Sequence, residues 1–208
     1  MSRHTGPKCR LCRREGTKLF LKGERCFTAK CAVTRRESAP GVHTWRRGKP
    51  SQYSIQLREK QKVKRYYGLR EKPFRHLFHH AERAPGNTGE ALLMMLERRL
   101  DNVLYLAGFA ASRYHARQMI THGHVTVNGH RVDVGSFLVD QDNVIRPKGG
   151  EELVRKVKET LESTKYRDVP PWLTVSDDPP EITVRVLPGR DDISVETREQ
   201  LVVELLSK

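Results

Sequence analysis

Long apolar runs are missing from this 208-residue chain, and no stretch approaches the roughly 18 consecutive apolar residues that a membrane-spanning helix needs. The opening Met-Ser-Arg-His-Thr-Gly-Pro-Lys-Cys also lacks the apolar stretch of a secretory signal. A cytosolic setting is expected, with an organellar stroma as the alternative. Aromatic residues are sparse at 7%, and an apolar content of 37% suits one domain of good size or two small ones. There is no internal repeat, no low-complexity tract and no phosphate-binding loop motif. The nine histidines include His79-His80 and His122-Gly123-His124, but neither group has a carboxylate at a spacing that suits acid–base catalysis. Acidic residues are scarce where it matters most. Residues 1–100 carry 25 Lys and Arg against 8 Asp and Glu, a net of +17, whereas residues 101–208 carry 14 against 17, a net of −3. A field this lopsided points to a polyanion lying along the first half; a merely solvated face would have to cover half the chain.

Cysteine is confined to the first 31 residues, as Cys9, Cys12, Cys26 and Cys31 in the pattern Cys-x2-Cys-x13-Cys-x4-Cys. Structural disulfides are not expected in a cytosolic chain, and about 40 residues hold too few apolar groups to fold alone. A closed tetrahedral zinc site of four thiolates is therefore expected, with an iron–sulfur cluster second and free thiols third. With no open coordination position the ion would be structural. Arg10, Arg13, Arg14, Lys18, Lys22, Arg25 and Lys30 surround these cysteines and would make the segment a cationic knob. An aperiodic basic linker follows, from Thr34 to Pro50.

Regular patterning resumes at Ser51, a good N-cap for a helix over 52–67 that Gly68 stops. Its polar side carries Arg58, Lys60, Lys62, Lys64 and Arg65. A helix opened by Pro73 runs to about Arg83, and a longer one runs from Thr88 to Gly108, with a domain boundary near Arg98. A helix is expected from Glu151 to about Thr164, an alternating strand over Ile182–Val186, and a terminal helix behind a Thr197-x-x-Gln200 capping box, with a strand as the alternative because Val202 and Val203 are β-branched.

The most informative stretch is 112–133. Ser112 is suited to cap a short helix, with Ala116, Met119 and Ile120 on its buried side and Arg113 and Arg117 turned outward together. Gly123 supplies the left-handed stop, His124-Val125-Thr126-Val127 alternates as a strand, and Asn128-Gly129 is the favoured pair for a two-residue hairpin turn.

These residues carry a resemblance. Gly6-Pro-Lys-Cys-Arg-Leu-Cys-Arg-Arg-Glu-Gly16, Leu21-Lys-Gly-Glu-Arg-Cys26, Leu57-Arg-Glu-Lys-Gln-Lys62, Arg99-Leu-Asp-Asn-Val103, the block 112–133 and the tail from Glu199 to Lys208 together resemble the bacterial small-subunit ribosomal protein S-four family, nearly end to end. The resemblance implies an α+β fold. A mostly helical domain would be built from 51–97 plus 168–208, a small α/β RNA-binding module of the S-four type (98–167) would be inserted in it, and residues 1–50 would form the zinc knuckle and basic linker. It also implies binding to 16S rRNA at a multi-helix junction in the 5′ domain, nucleation of subunit assembly, contact with ribosomal protein S-five at an interface tied to decoding accuracy, and a basic segment beside the path by which messenger RNA enters. No small-molecule substrate is implied.

Carried over position by position, the metal ligands fall on Cys9, Cys12, Cys26 and Cys31, and the messenger-path segment on Arg35, Arg36, Arg46, Arg47 and Lys49. The module's RNA-facing positions fall on Ser112, Arg113, Arg117, His124, Asn128 and Arg131. Arg10, Arg13, Arg14, Lys22, Arg58, Lys62 and Arg65 complete the expected RNA surface. Tyr114, His115 and Thr121 stand where many relatives place further basic or amide residues, so the module is less cationic than the family pattern. An RNA-modifying enzyme with the same module is the main rival, because Arg99-Leu-Asp101 is similar to the tripeptide around the catalytic aspartate of pseudouridine synthases. Here that tripeptide precedes the 112–133 block rather than following it, and only about 75 residues come after that block. A zinc-dependent transcription regulator is disfavoured, since no helix has base-reading spacing.

Overall fold

The computed structural model describes residues 4–36, 38–42, 48–193 and 195–207. The chain divides into two compact units, residues 1–93 with 195–208, and residues 94–194. Among the described residues, no helix is long and apolar enough to cross a membrane.

The first unit is helical: α1 (Lys8–Glu15), a single 3-10 turn at Gly23–Cys26, α2 (Ala32–Arg35), α3 (Gln52–Tyr66), α4 (Glu71–Arg83), the start of α5 (Thr88–Glu97), and α9 (Glu199–Leu206). Ser51 caps α3 as its sequence suggests, its hydroxyl accepting from the Ser54 N–H at 3.2 Å. Phe74, Leu77, Phe78 and Ala81 recur at helical spacing on α4 and are all buried. The chain end packs on α3 through polar stitches. Gln56 donates to Glu204 at 2.7 Å, and Glu59 accepts from the Thr197 hydroxyl at 3.0 Å and from the Arg198 N–H at 3.3 Å. Thr197 is thus spent on Glu59, and Arg198, not Thr197, stands at the N-cap of α9 without a side-chain cap. The expected capping box does not form.

The second unit holds α6 (Leu100–Leu106), α7 (Arg113–Thr121), α8 (Glu151–Thr164) and five short strands: β1 (Val125–Val127), β2 (His130–Arg131), β3 (Val144–Pro147), β4 (Leu173–Asp177) and β5 (Pro180–Val184). The sheet order is β2-β1-β3-β5-β4, with every pairing antiparallel. Val125 and Val127, Ile145, and Ile182 and Val184 alternate inward from their strands onto Leu100, Val103, Leu104, Ala116 and Ile120. At the hairpin turn Asn128 and Gly129 both adopt positive φ, 49° and 81°, the geometry that favours this residue pair.

Two features differ from expectation. The helix drawn from Thr88 to Gly108 is broken at Arg98–Arg99, because strand-like bonds to 137–139 replace helical ones. The Arg98 carbonyl accepts from the Val139 N–H at 2.9 Å, the Leu100 N–H donates to the Phe137 carbonyl at 2.8 Å, and Arg99 bridges Leu138. The segment 168–194, drawn with the helical domain, instead extends the module's sheet. Val144 and Ile145 of β3 pair with Thr183 and Ile182, and Leu173 to Asp177 pairs along β5. Prolines at 170, 171, 179 and 180 punctuate this stretch and hide β4, whose run between them is only five residues long.

Candidate nucleic-acid interface

The N-terminal segment is not a free-standing knob. Glu15, at the end of α1, is a buried carboxylate that accepts from Arg65 and, at 3.3 Å, from Arg58, both on α3. Burial pushes the Glu15 carboxyl up, while Arg65 and Arg58 pull against that shift. Arg13 donates from Nε to the Ser38 carbonyl at 2.9 Å and from Nη2 to the Ala39 carbonyl at 3.3 Å, closing the loop back on α1. Leu19 and Leu21 are buried. With α1 docked on α3, the segment has anchors that its own short sequence does not reveal.

The four cysteines line one small cavity with Leu21 and Val33. Among the described residues, however, no group of three or more Cys, His, Asp or Glu is arranged to hold a metal ion, and all four cysteines are unbridged. That overturns the zinc site expected at Cys9, Cys12, Cys26 and Cys31, and the described residues form no zinc knuckle. Burial raises the Cys12 thiol to about 11 and pushes Cys26 up as well. Burial also pushes Cys31 upward, but the Val33 and Thr34 N–H groups outweigh it and leave that thiol lowered. The premise that the segment stands alone does not hold, since α1 docks on α3 through Glu15, Arg58 and Arg65.

The exposed cations of this unit include Arg10, Arg14, Lys22, Arg35, Arg36 and Lys49. Arg46 and Arg47 lie outside the described residues. Arg13, Arg58, Lys62 and Arg65 are half-buried and tied inward, with Lys62 3.3 Å from Glu59. Glu71 gathers three cations: Lys60 at 2.5 Å, Lys64 at 2.7 Å and Arg75 at 3.2 Å. Burial works against its ionisation, but hydrogen bonds from Lys60 and Lys64 prevail and hold the carboxyl at about 2. A depressed folded pKa contributes stability above the ordinary value near 4.5 that is lost as pH falls from there toward 2. Glu71→Gln is therefore expected to lower the urea midpoint near neutrality and to flatten its decline between pH 4.5 and 2. An unaltered acid limb in the variant would refute the role assigned to Glu71.

In the module, the Ser112 hydroxyl caps α7 by accepting from the His115 N–H at 3.2 Å. The expected outward placement of Arg113 and Arg117 is overturned: they are 3% and 8% exposed. Residues 113, 116, 117 and 120 fall at i, i+3, i+4 and i+7, so the two arginines belong to the buried stripe with Ala116 and Ile120. Arg113 donates to the Asn102 side-chain oxygen at 2.7 Å and lies 4.3 Å over the Tyr105 ring. Arg117 donates from Nε to Asp101 at 2.8 Å and again from Nη2. Arg99 donates to the two oxygens of the same carboxylate at 3.1 and 2.9 Å. Asp101 is thus a buried hub between two guanidinium groups. Asn128 is committed to its turn, its side-chain oxygen accepting from the Val144 N–H at 2.8 Å.

What α7 and the hairpin do expose is His115, Gln118, Thr121, His122, Asn128, Gly129, His130 and Arg131, with His124 half-buried. The His122 and His124 rings lie 6.0 Å apart. Arg131 is held where a side chain at Gly123 would be: a Cβ there would fall 2.2 Å from its Nε, and Gly123 has φ +75°. Donors and flat rings on a firm hairpin can take phosphate oxygens and stack on bases.

Residues 3–97 match the Ribosomal protein S4/S9 N-terminal domain, and residues 98–145 match the S4 domain. Across all 208 residues, and all of each relative, the chain is 52% identical to the small ribosomal subunit protein uS4 of Pelotomaculum thermopropionicum. It is 50% identical over the same span to the uS4 proteins of Halothermothrix orenii and Geotalea uraniireducens. Identity of this extent, along the whole length and across both domains, places the chain in the small ribosomal subunit protein uS4 family.

Proposed function

We propose that this chain is a non-catalytic, structural component of the small ribosomal subunit that binds rRNA within cytoplasmic ribosomes. Full-length similarity to uS4 proteins carries the reading. The net charge of +17 over residues 1–100, with Arg10, Arg14, Lys22, Arg35, Arg36 and Lys49 exposed, supports it. More finely, the target is 16S rRNA at a multi-helix junction of its 5′ domain, where binding helps nucleate the subunit body. Partners are ribosomal protein S-five, other subunit proteins and messenger RNA as it enters. Phosphate neutralisation supplies affinity, while the module's hairpin, through His124 and Arg131, adds shape-dependent contacts.

The modifying-enzyme rival loses its main attraction once Asp101 is seen ion-paired to Arg99 and Arg117 with its side chain 2% exposed. Filter binding at matched ionic strength would compare the rRNA junction, transfer RNA and duplex DNA. The junction is expected to bind at least tenfold more tightly than either competitor. Equal retention of the three polyanions would refute the reading.

A further inference from the structure

We propose that the outward face of α4 is a third contact strip for the sugar–phosphate backbone of rRNA, separate from the N-terminal segment and the module. This rests on the rRNA-binding reading above and assigns it a new surface. With Phe74, Leu77, Phe78 and Ala81 turned into the core, the helix exposes Lys72, Arg75, His76, His79, His80 and Arg83. Opposing carboxylates are few. Glu82 faces His79 at 3.4 Å, and Glu71 is already shared among Lys60, Lys64 and Arg75. Lys72 and Arg83 have no carboxylate partner among the described residues. Arg75, although bonded to Glu71, keeps a side chain 60% exposed.

The imidazoles add directional donors. The Nε2 atoms of His76 and His80 are 3.1 Å apart, with rings edge to face, so one ring donates its Nε2–H to the other. The accepting ring then carries its proton on Nδ1, and whichever histidine accepts keeps an N–H for an outside acceptor. Lys72 and Arg83 are separated by about 16 Å along the helix axis, longer than one phosphate and suited to a run of backbone. Charge complementarity thus selects a polyanion, and extended length selects a strand of it.

The test compares two variants of the full chain that lose equal charge. Lys72→Gln/Arg75→Gln/Arg83→Gln removes the α4 cations. Arg155→Gln/Lys156→Gln/Lys158→Gln removes three from α8, where they face Glu159, Glu152 and Asp178 at 3.6, 2.6 and 3.1 Å. Thermal melts establish that both fold. Binding of the rRNA junction is then measured across a salt series. The α4 variant is expected to lose about 2–3 from the log–log salt slope, at roughly 0.7–0.9 per lost contact, while the α8 variant keeps the wild-type slope. His76→Asn/His80→Asn is expected to weaken binding about fivefold at pH 7.5 with no change of slope, the worth of one hydrogen bond. An α4 slope equal to wild type, or equal losses in the two charge variants, overturns the strip while leaving the functional reading intact. A wild-type chain with no preference for the rRNA junction overturns both.

Discussion

Asp101→Ala is expected to destabilise the sheet-containing unit by about 3–5 kcal/mol, the cost of removing one partner from a buried ion pair. The carboxylate is 2% exposed and accepts from Arg99 and Arg117, whose side chains are 4% and 10% exposed. Without it, two buried guanidinium groups lose the carboxylate they share. The loss reaches beyond one contact. Arg99 stands at the N-cap of α6, Arg117 lies on α7, and Arg99 also reaches the Gly135 carbonyl at 3.4 Å, so the hub joins two helices to the loop before β3. Trp172 is buried in this unit's core and reports its unfolding, with Trp45→Phe used as background so that it is the sole tryptophan. Urea denaturation followed by its fluorescence gives the free energy. A loss below about 1 kcal/mol would show that water or a neighbour rescues the arginines and that the hub is dispensable. Asp101→Asn should fall between, since an amide keeps one acceptor oxygen but not the charge.

The same residues mark where sequence pattern ends. Helices α3, α7 and α8 and the Asn128-Gly129 hairpin were legible because caps, turn residues and periodicity are local properties. The direction of Arg113 and Arg117 was not. Arginine on a helix ordinarily faces water, yet these two occupy the i, i+3, i+4, i+7 stripe with Ala116 and Ile120, which is where the signal lay. Their burial is tolerated because Asp101 and Asn102 approach from α6, a tertiary fact no local window contains. The break at Arg98 has the same origin, since residues 137–139 compete for its backbone. At the N-terminus the cysteine spacing suggested zinc because the segment looked too small to stand alone. Glu15, paired with Arg58 and Arg65 some 43 and 50 residues away, supplies an anchorage that spacing cannot disclose. Family resemblance filled a different gap. It identified the partner class, which charge asymmetry alone left at any polyanion.

Affinity for the rRNA junction is expected to fall roughly a thousandfold or more between 50 and 200 mM salt, the largest effect anticipated for this chain. The reasoning starts from which cations are free to meet phosphate. Arg58 and Arg65 are spent on Glu15, Lys60 and Lys64 on Glu71, and Arg117 on Asp101. Arg10, Arg14, Lys22, Arg35, Arg36, Lys49 and Arg131 are exposed. Seven such contacts, each releasing about 0.7–0.9 of a counterion, give a log–log slope of about −5 to −6, which the three α4 cations Lys72, Arg75 and Arg83 steepen by about 2–3 more. Two substitutions separate surface charge from buried charge. Arg131→Ala should reduce the slope by about 1 and leave the urea midpoint in place, because its guanidinium rests on Gly123 at the surface rather than in the core. Arg117→Ala should do the opposite, lowering the midpoint while the folded fraction keeps the wild-type slope, because it strips Asp101 of a buried partner. A wild-type slope shallower than about −2 would mean that stacking and hydrogen bonds, not released counterions, hold the RNA. A changed slope in Arg117→Ala would return that arginine to the RNA surface and contradict its place in the core.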